Sequence, residues 1–150
     1  MIRIQAEPFD ASVELAALTG RAPAAGAIAS FVGLVRPNAG DATVEQLELE
    51  HYSQFTRAAV EAIAEDGRTR FDLLDLTIVH RFGRLVPGEP IVIVAAAARH
   101  RRAAFDAVDY LMDRLKTEAP FWKREHGSAG SRWIEPTPGD HADRKRWDPT

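Results

Sequence analysis

The stretch that decides the fold is Ile91–Ala97, which reads IVIVAAA and contains no polar side chain. A strand with one face in water alternates polar and apolar residues, whereas a strand covered on both faces is apolar throughout. This stretch therefore predicts a buried strand at the centre of a sheet. Pro87-Gly88-Glu89 predicts the turn that precedes it.

The segment after this strand, from about His100 to Glu118, predicts the best-defined helix of the chain. Its apolar residues recur at the spacing of one helical face: Phe105, Val108, Met112 and Leu115. Pro120 ends the predicted helix, because proline lacks a backbone N–H and clashes with the preceding turn.

The remaining segments predict mostly strands, several of which follow one another directly. The predicted strands cover residues 2–5, 26–36, 44–52, 73–82 and 132–135, with irregularities at Gly33 and Gln46. Two more helices are predicted, one from Asp10 towards Leu18 and one over 54–67 after Ser53, because Asp and Ser suit the N-cap position.

Consecutive strands without an intervening helix indicate antiparallel pairing, which favours an α+β fold over a doubly wound sheet. We expect a single domain over residues 1–135, with a mainly antiparallel or mixed sheet and three helices packed on it. Residues 136–150 are polar and rich in proline, so we predict a mobile C-terminal tail.

The composition excludes several classes of protein. A net charge of -3 over 150 residues gives no general basic field for nucleic acid, so any anion site must be local. Without cysteine, no disulfide, thiolate metal site or cysteine nucleophile can form. No apolar run resembles a signal peptide or could cross a bilayer, so we expect a cytoplasmic protein. We expect no metal and no other cofactor.

A first candidate site is the basic cluster Arg99-His100-Arg101-Arg102, where the buried strand meets the N-terminus of the long helix. Cations are unfavourable at that end of a helix, whereas the free backbone N–H groups and the dipole favour an anion. A bound anion would explain the cluster; the alternative is that these residues point to solvent and pair with nearby acids. We favour an anion site for His100 and Arg101, and ion pairs for Arg99 and Arg102.

Lys116 and Lys123, on either side of Pro120, form a second candidate site. Two ammonium groups held together beside an aromatic surface lower each other's pKa, which suits a general base or a nucleophile. From spacing alone, each lysine taken singly is more simply explained as a solvated surface residue. Arg36, just before a turn, is a third candidate and suits a phosphate or carboxylate contact.

Five short stretches resemble the large, catalytic subunit of molybdopterin synthase. The most specific is residues 116–125 (KTEAPFWKRE); the others are residues 31–36 (FVGLVR), 49–52 (LEHY), 80–83 (HRFG) and 100–101 (HR). They occur in the family's order, and the resemblance extends from about residue 2 to residue 135.

The resemblance implies an activity and a partner. Proteins of this family add two sulfur atoms to cyclic pyranopterin monophosphate (precursor Z), which creates the dithiolene of molybdopterin. The donor is a small ubiquitin-like carrier subunit whose C-terminal Gly-Gly ends in a thiocarboxylate. The large subunits form a homodimer at the centre of a heterotetramer. A sulfur-transfer enzyme without cysteine needs an outside source of sulfur, and a carrier tail meets that need.

The family's site residues are assigned to this chain by their positions in these motifs. The resemblance implies that Lys116 and Lys123 are catalytic. It places five residues in the substrate pocket: Arg36, His100, Arg101, Phe31 and Met112. Phe31 and Met112 are more simply explained as core residues. Ala98 departs from the family, which often has Ser at this position, so one hydroxyl is missing from the pocket.

Two other functions compete with sulfur transfer. One is a non-catalytic relative that binds the carrier subunit, but the presence of both Lys116 and Lys123 argues against it. The other is a different lysine enzyme that forms a Schiff base with a carbonyl substrate. Such an enzyme needs no protein partner and would be trapped by borohydride.

Overall fold

The computed structural model describes residues 1–51 and 53–150, and within them the chain forms four helices and nine strands. The strands are β1 (Ile2–Gln5), β2 (Ala27–Leu34), β3 (Asn38–Ala39), β4 (Ala42–His51), β5 (Asp75–Arg81), β6 (Gly83–Leu85), β7 (Pro90–Ala98), β8 (Phe121–Gly127) and β9 (Gly130–Ile134). The helices are α1 (Ala11–Arg21), α2 (Ser53–Arg70), α3 (Arg101–Glu118) and α4 (Pro138–Lys145). The predicted α+β class is confirmed.

The predicted central strand is β7, which lies between β5 and β2 in a four-stranded sheet of order β1-β5-β7-β2. Only β1 and β5 run parallel; the other neighbours in this sheet are antiparallel. The irregularity expected at Gly33 is present, as the β2–β7 register shifts between Gly33 and Leu34. This sheet supports α3, which packs on β7 and β2.

Small side chains allow β7 to be covered on both faces. Val94, Ala96 and Ala98 belong to the main core, together with buried residues of α2 and α3. Ala95 and Ala97 point the other way, into a smaller core with Leu18 of α1. Because side chains alternate along a strand, the alanines of β7 point in turn towards the main core and towards the smaller core.

A second sheet has the order β3-β4-β8-β9, with β6 also paired to β4. Its core contains Val44, Leu47, Leu49 and Leu85. The bulge expected at Gln46 is found as a register shift between Val44 and Gln46. The predicted strand over 44–52 corresponds to β4, and its final Tyr52, which also ends the LEHY motif, lies outside the described residues.

The structure corrects the predicted apolar stripe of α3. The helix begins near His100 as expected, with His100 as its N-cap residue, and the buried residues include Ala104, Val108, Leu111 and Leu115. Phe105 is 60% exposed and is not part of the core. The alanine-rich surface of β7 is flat, so α3 meets it with small side chains and turns the large Phe105 outwards.

Four elements are absent from the sequence prediction, namely the strands β3, β6 and β8 and the helix α4. Residues 121–127 form β8, between β4 and β9, although no strand was predicted there. The expected mobile tail contains the fourth helix, α4, which starts with a capping box between Thr137 and Asp140. Trp147 then packs on the main core. Within the described residues no helix is both long and apolar enough to span a membrane.

The close approach of α2 and α3 at Gly67 generates a test of this packing. A Cβ atom at Gly67 would lie 2.7 Å from Cδ2 of the buried Leu111, whereas one at Gly20 in α1 would meet nothing within 4 Å. We expect Gly67→Ala to lower the free energy of unfolding by about 1 kcal/mol, because overpacking outweighs the gain in helix propensity. Gly20→Ala should raise it by up to about 1 kcal/mol.

Urea unfolding of both variants and the parent chain measures these changes. Gly20→Ala is the matched control, since it makes the same substitution in a helix without the contact. Equal stabilisation in both variants would contradict the packing of α2 on α3.

Candidate functional site

Lys123 lies on the strand β8, in the middle of the second sheet. It is paired with Leu49 of β4 and Ile134 of β9, so its side chain shares a face with both. Lys123 is half-buried, and this burial lowers its pKa from the ordinary value. The ammonium of Lys116 lowers the pKa further, while the carboxylate of Asp140 acts in the opposite direction.

Lys116 lies in the last turn of α3 and approaches Lys123 from the helix layer. Its Nζ is 3.0 Å from Oδ1 of Asp140, and its side chain is 51% exposed. The structure thus brings the two predicted lysines together, although they lie on different elements. The two lysines differ in their surroundings. Lys116 has a carboxylate partner and contact with solvent, whereas Lys123 is half-buried within the sheet.

A wall of aromatic and imidazole rings borders Lys123. The rings of Phe121 and His80 stack with centroids 3.7 Å apart, and the His51 ring lies 4.4 Å from that of Phe82. Burial, with a smaller effect of the nearby Lys123 ammonium, lowers the pKa of His80 to about 3, and the contact with the Arg81 carbonyl acts in the opposite direction. His80 is therefore neutral near pH 7, and its Nδ1 donates to the Arg81 carbonyl oxygen over 2.8 Å.

Glu125 brings Arg36 into this group. It is a buried carboxylate two positions after Lys123 on β8, so both side chains lie on one face, about 7 Å apart along the strand. Its Oε1 is 3.5 Å from Nη2 of Arg36, and its Oε2 is 3.8 Å from Nη2 of Arg132. Glu125 thus pairs with two exposed guanidinium groups, whose positive charge suits an anionic substrate.

His100 and Arg101 lie far from the lysines within one chain. They occupy the N-terminal end of α3, and the helix rise places Arg101 about 22 Å from Lys116. Both are exposed. Their neighbours form the expected ion pairs, Arg99 with Asp72 at 2.8 Å and Arg102 with Asp106 at 3.9 Å.

The two apolar candidates differ in placement. Phe31 lies on β2 opposite Val94 and is 42% exposed, so the interpretation of Phe31 as a core residue is wrong. Met112 is half-buried and packs against the main core. Neither contact shows a role in substrate binding, which stays a prediction for both residues.

Several residues of this site were not selected from the sequence: Glu125, Arg132, His80 and Asp140. Glu125 belongs to the KTEAPFWKRE motif, and the alternation of Phe121, Lys123 and Glu125 was an available signal for a strand with one shared face. Asp140 had a weaker signal, the Thr137-x-x-Asp140 spacing of a capping box. No local pattern indicates that Asp140 meets Lys116, 24 residues earlier.

The arrangement offers three chemical functions. A lysine with a lowered pKa has a larger neutral fraction than an ordinary lysine, and the neutral amine can take a proton or attack a carbonyl carbon. The ammonium of Lys116 and the guanidinium of Arg36 supply positive charge for an anion. The ring wall and the half-buried setting limit water around Lys123, which strengthens these electrostatic effects.

Comparison with known proteins identifies the family of this chain. A family model described as MoaE protein matches residues 4–118. The molybdopterin synthase catalytic subunit of Caulobacter vibrioides is 51% identical over 148 residues, covering 99% of this chain and 97% of that protein. The subunit of the same name from Pseudomonas aeruginosa is 47% identical over 147 residues, covering 98% of each.

Solved structures give the same result for the fold. The molybdopterin biosynthesis MoaE protein from Burkholderia ambifaria has a TM-score of 0.84 and 47% identity, covering 98% of this chain and 97% of that one. The structure of molybdopterin synthase from Staphylococcus aureus has a TM-score of 0.78 and 28% identity, covering 88% of this chain and 95% of that one. The resemblance read from the motifs is confirmed, and the chain belongs to the MoaE protein family.

Proposed function

We propose that this chain is the catalytic subunit of a molybdopterin synthase. It transfers sulfur from the thiocarboxylated C-terminus of a small carrier subunit to cyclic pyranopterin monophosphate, forming the molybdopterin dithiolene. The observation that carries the proposal is the pairing of Lys116 with Lys123 in a chain whose relatives bear this name. The phrase "catalytic subunit" in those names also supports a second subunit as partner.

The absence of cysteine is consistent with a carrier that supplies the sulfur. No thiol of this chain can hold a persulfide, so the sulfur has to arrive already activated on another molecule. A thiocarboxylate at the end of a flexible tail is such a form. We propose that the chain and its sulfur donor lie together in the cytoplasm, because the two have to meet for the reaction.

The surroundings of the lysines support separate roles. Lys123, with its lowered pKa, provides the neutral amine that activates or transiently bonds the carbonyl carbon of the carrier tail. Lys116, ion-paired with Asp140, orients the substrate or takes part in proton transfer as a fixed cation. Arg36, held by Glu125, contacts the phosphate or the tail carboxylate.

The predicted anion site at His100 and Arg101 requires a second copy of the chain. At about 22 Å from Lys116, these residues cannot contact the same small substrate as the lysines of their own chain. In a two-fold dimer, the start of α3 from one copy can lie beside the lysine pair of the other. We therefore propose a homodimer with two shared sites, flanked by two carrier subunits as a heterotetramer.

The lysine roles are tested by turnover of precursor Z with a thiocarboxylated carrier. Lys116→Ala and Lys123→Ala should each reduce the rate by about 100-fold or more, because each removes a group that acts on the reacting atoms. The control is Lys145→Ala, which removes the third lysine of the chain, an exposed residue on α4, and should stay within about two-fold of the parent.

Carrier binding should be measured on the same samples. Parent chain that binds the carrier without making product would favour the non-catalytic relative. Borohydride trapping with a carbonyl substrate in the absence of a carrier would favour the Schiff-base enzyme. Full activity in either lysine variant would remove that lysine from the mechanism.

The shared site is tested by a heterodimer that carries Arg101→Ala in one copy and Lys123→Ala in the other. Each homodimeric variant has two damaged sites, whereas the heterodimer combines both lesions in one site and leaves the other intact. We expect about half of the parent activity in the heterodimer, isolated with two affinity tags. Activity equal to the mean of the two homodimeric variants would place all site residues within one chain.

A further inference from the structure

The C-terminal segment is anchored firmly on the outer face of α3. The Trp147 ring meets Tyr110 edge-on at 5.4 Å, and its Nε1 donates to Oδ2 of Asp113 over 2.6 Å. Arg146 Nη2 lies 2.8 Å from Asp109 and 2.9 Å from Asp113. These contacts hold the end of α4, so the start of α4 has a defined position over the last turn of α3.

That start of α4 places Asp140 against the lysine pair. Oδ2 of Asp140 accepts hydrogen bonds from the backbone N–H and the hydroxyl of Thr137, at 2.7 and 2.9 Å. Oδ1 is left to face Nζ of Lys116 at 3.0 Å. Only 17% of the Asp140 side chain is exposed. Oδ2 of Asp140 thus belongs to the helix cap, and Oδ1 belongs to the ion pair.

Hydrogen bonding keeps this carboxylate ionised. Burial alone would raise the pKa of Asp140, but the Thr137 backbone N–H and the Lys116 side chain outweigh it, and the pKa is lowered. The negative charge is therefore present across the pH range in which an amine-dependent reaction can run.

We propose that Asp140 is a positioning residue for sulfur transfer, whose carboxylate holds the Lys116 ammonium in place beside Lys123. The inference rests on the proposed function of the lysine pair and adds the C-terminal helix to the active site. Lys116 has a flexible four-carbon side chain and is half exposed, so without a partner it samples many rotamers. An anchored carboxylate restricts that sampling and fixes the direction of the positive charge.

Stability of the fold does not account for this ion pair. An ion pair with a half-exposed lysine contributes little to folding, because water solvates the charge almost as well. The anchoring of α4 is supplied elsewhere, by Trp147 and Arg146. The contact therefore matters mainly for where the Lys116 ammonium lies and for the electrostatic surroundings of Lys123.

The expected change in the pKa of Lys123 depends on the titratable and charged groups around it. They are Lys116 of α3, Asp140 of α4, His80 of β5, His51 of β4, Arg132 of β9 and Glu125 of β8 itself. Of the two that act on the pKa of Lys123, Lys116 lowers it and Asp140 raises it. Removal of the Asp140 charge leaves the repulsion from Lys116 unopposed, so the pKa of Lys123 falls further.

The test compares Asp140→Asn with Asp143→Asn. Asparagine at 140 retains an oxygen for the cap but loses the charge, and Asp143 is an exposed carboxylate on the same helix. We expect Asp140→Asn to lower kcat about ten-fold, as misplacement of a charged group does, with carrier binding unchanged. Asp143→Asn should match the parent.

A second measurement does not depend on turnover. Competitive acetylation over a pH series, read by mass spectrometry, follows each lysine separately in the intact protein. In Asp140→Asn, Lys123 should become reactive at lower pH than in the parent, and the labelling of Lys145 should be unchanged. Thr137→Ala, which weakens the cap but keeps the charge, should shift Lys123 much less.

The outcomes separate this inference from the proposed function. Parental kcat in Asp140→Asn, or labelling of Lys123 that matches Asp143→Asn, would overturn the role of Asp140. If the parent chain makes no product with precursor Z and carrier, the proposed function fails. The labelling comparison then still decides whether Asp140 governs the lysine pair.

Discussion

The double-sided burial of β7 is the constraint on which the rest of the structure depends. Its alanines lie against the core with α3 on one face and against α1 on the other, because small side chains let helices approach a strand from both sides. A larger side chain at Ala96 would push α3 outwards, and one at Ala97 would push α1. The position of α3 in turn determines the positions of Lys116 and of the C-terminal helix, since both are held by that helix.

A single rigid helix thus carries two predicted site components at opposite ends. An α-helix of 18 residues does not bend enough to bring its ends together, so the distance between Arg101 and Lys116 is a property of the element itself. The fold therefore separates the predicted anion site at His100 and Arg101 from the lysine pair within one chain. In the proposed homodimer, the two components come from different copies and meet at one small substrate. Exposure of His100 and Arg101 fits this arrangement, because residues that serve a neighbouring copy must lie at the surface.

The sequence was sufficient for elements whose pattern is local and insufficient for those that depend on distant partners. The apolar run of β7, the helix α1 with its Asp10 cap and the amphipathic helix α3 were predictable because neighbouring residues carry the signal. β8 was missed because its charges, Lys123 and Glu125 among them, conceal a strand that is stabilised by β4 and β9 rather than by its own propensity. α4 was missed because a polar segment predicts disorder unless its anchor is known, and that anchor is Trp147 packing on the main core.

The sequence is limited in the same way for the site, because the role of a side chain depends more on its surroundings in the fold than on its residue type. Lys116 and Lys123 are chemically identical, and their motif marks both without distinguishing them. The fold distinguishes them: a strand within a ring-lined sheet withdraws Lys123 from water, and a helix end leaves Lys116 open to solvent and to Asp140. Groups whose surroundings differ in this way can act in opposite senses at one pH, one as an amine and the other as a cation. The proposed division of roles therefore depends on where the fold places β8 and the end of α3, which no single segment of the chain contains.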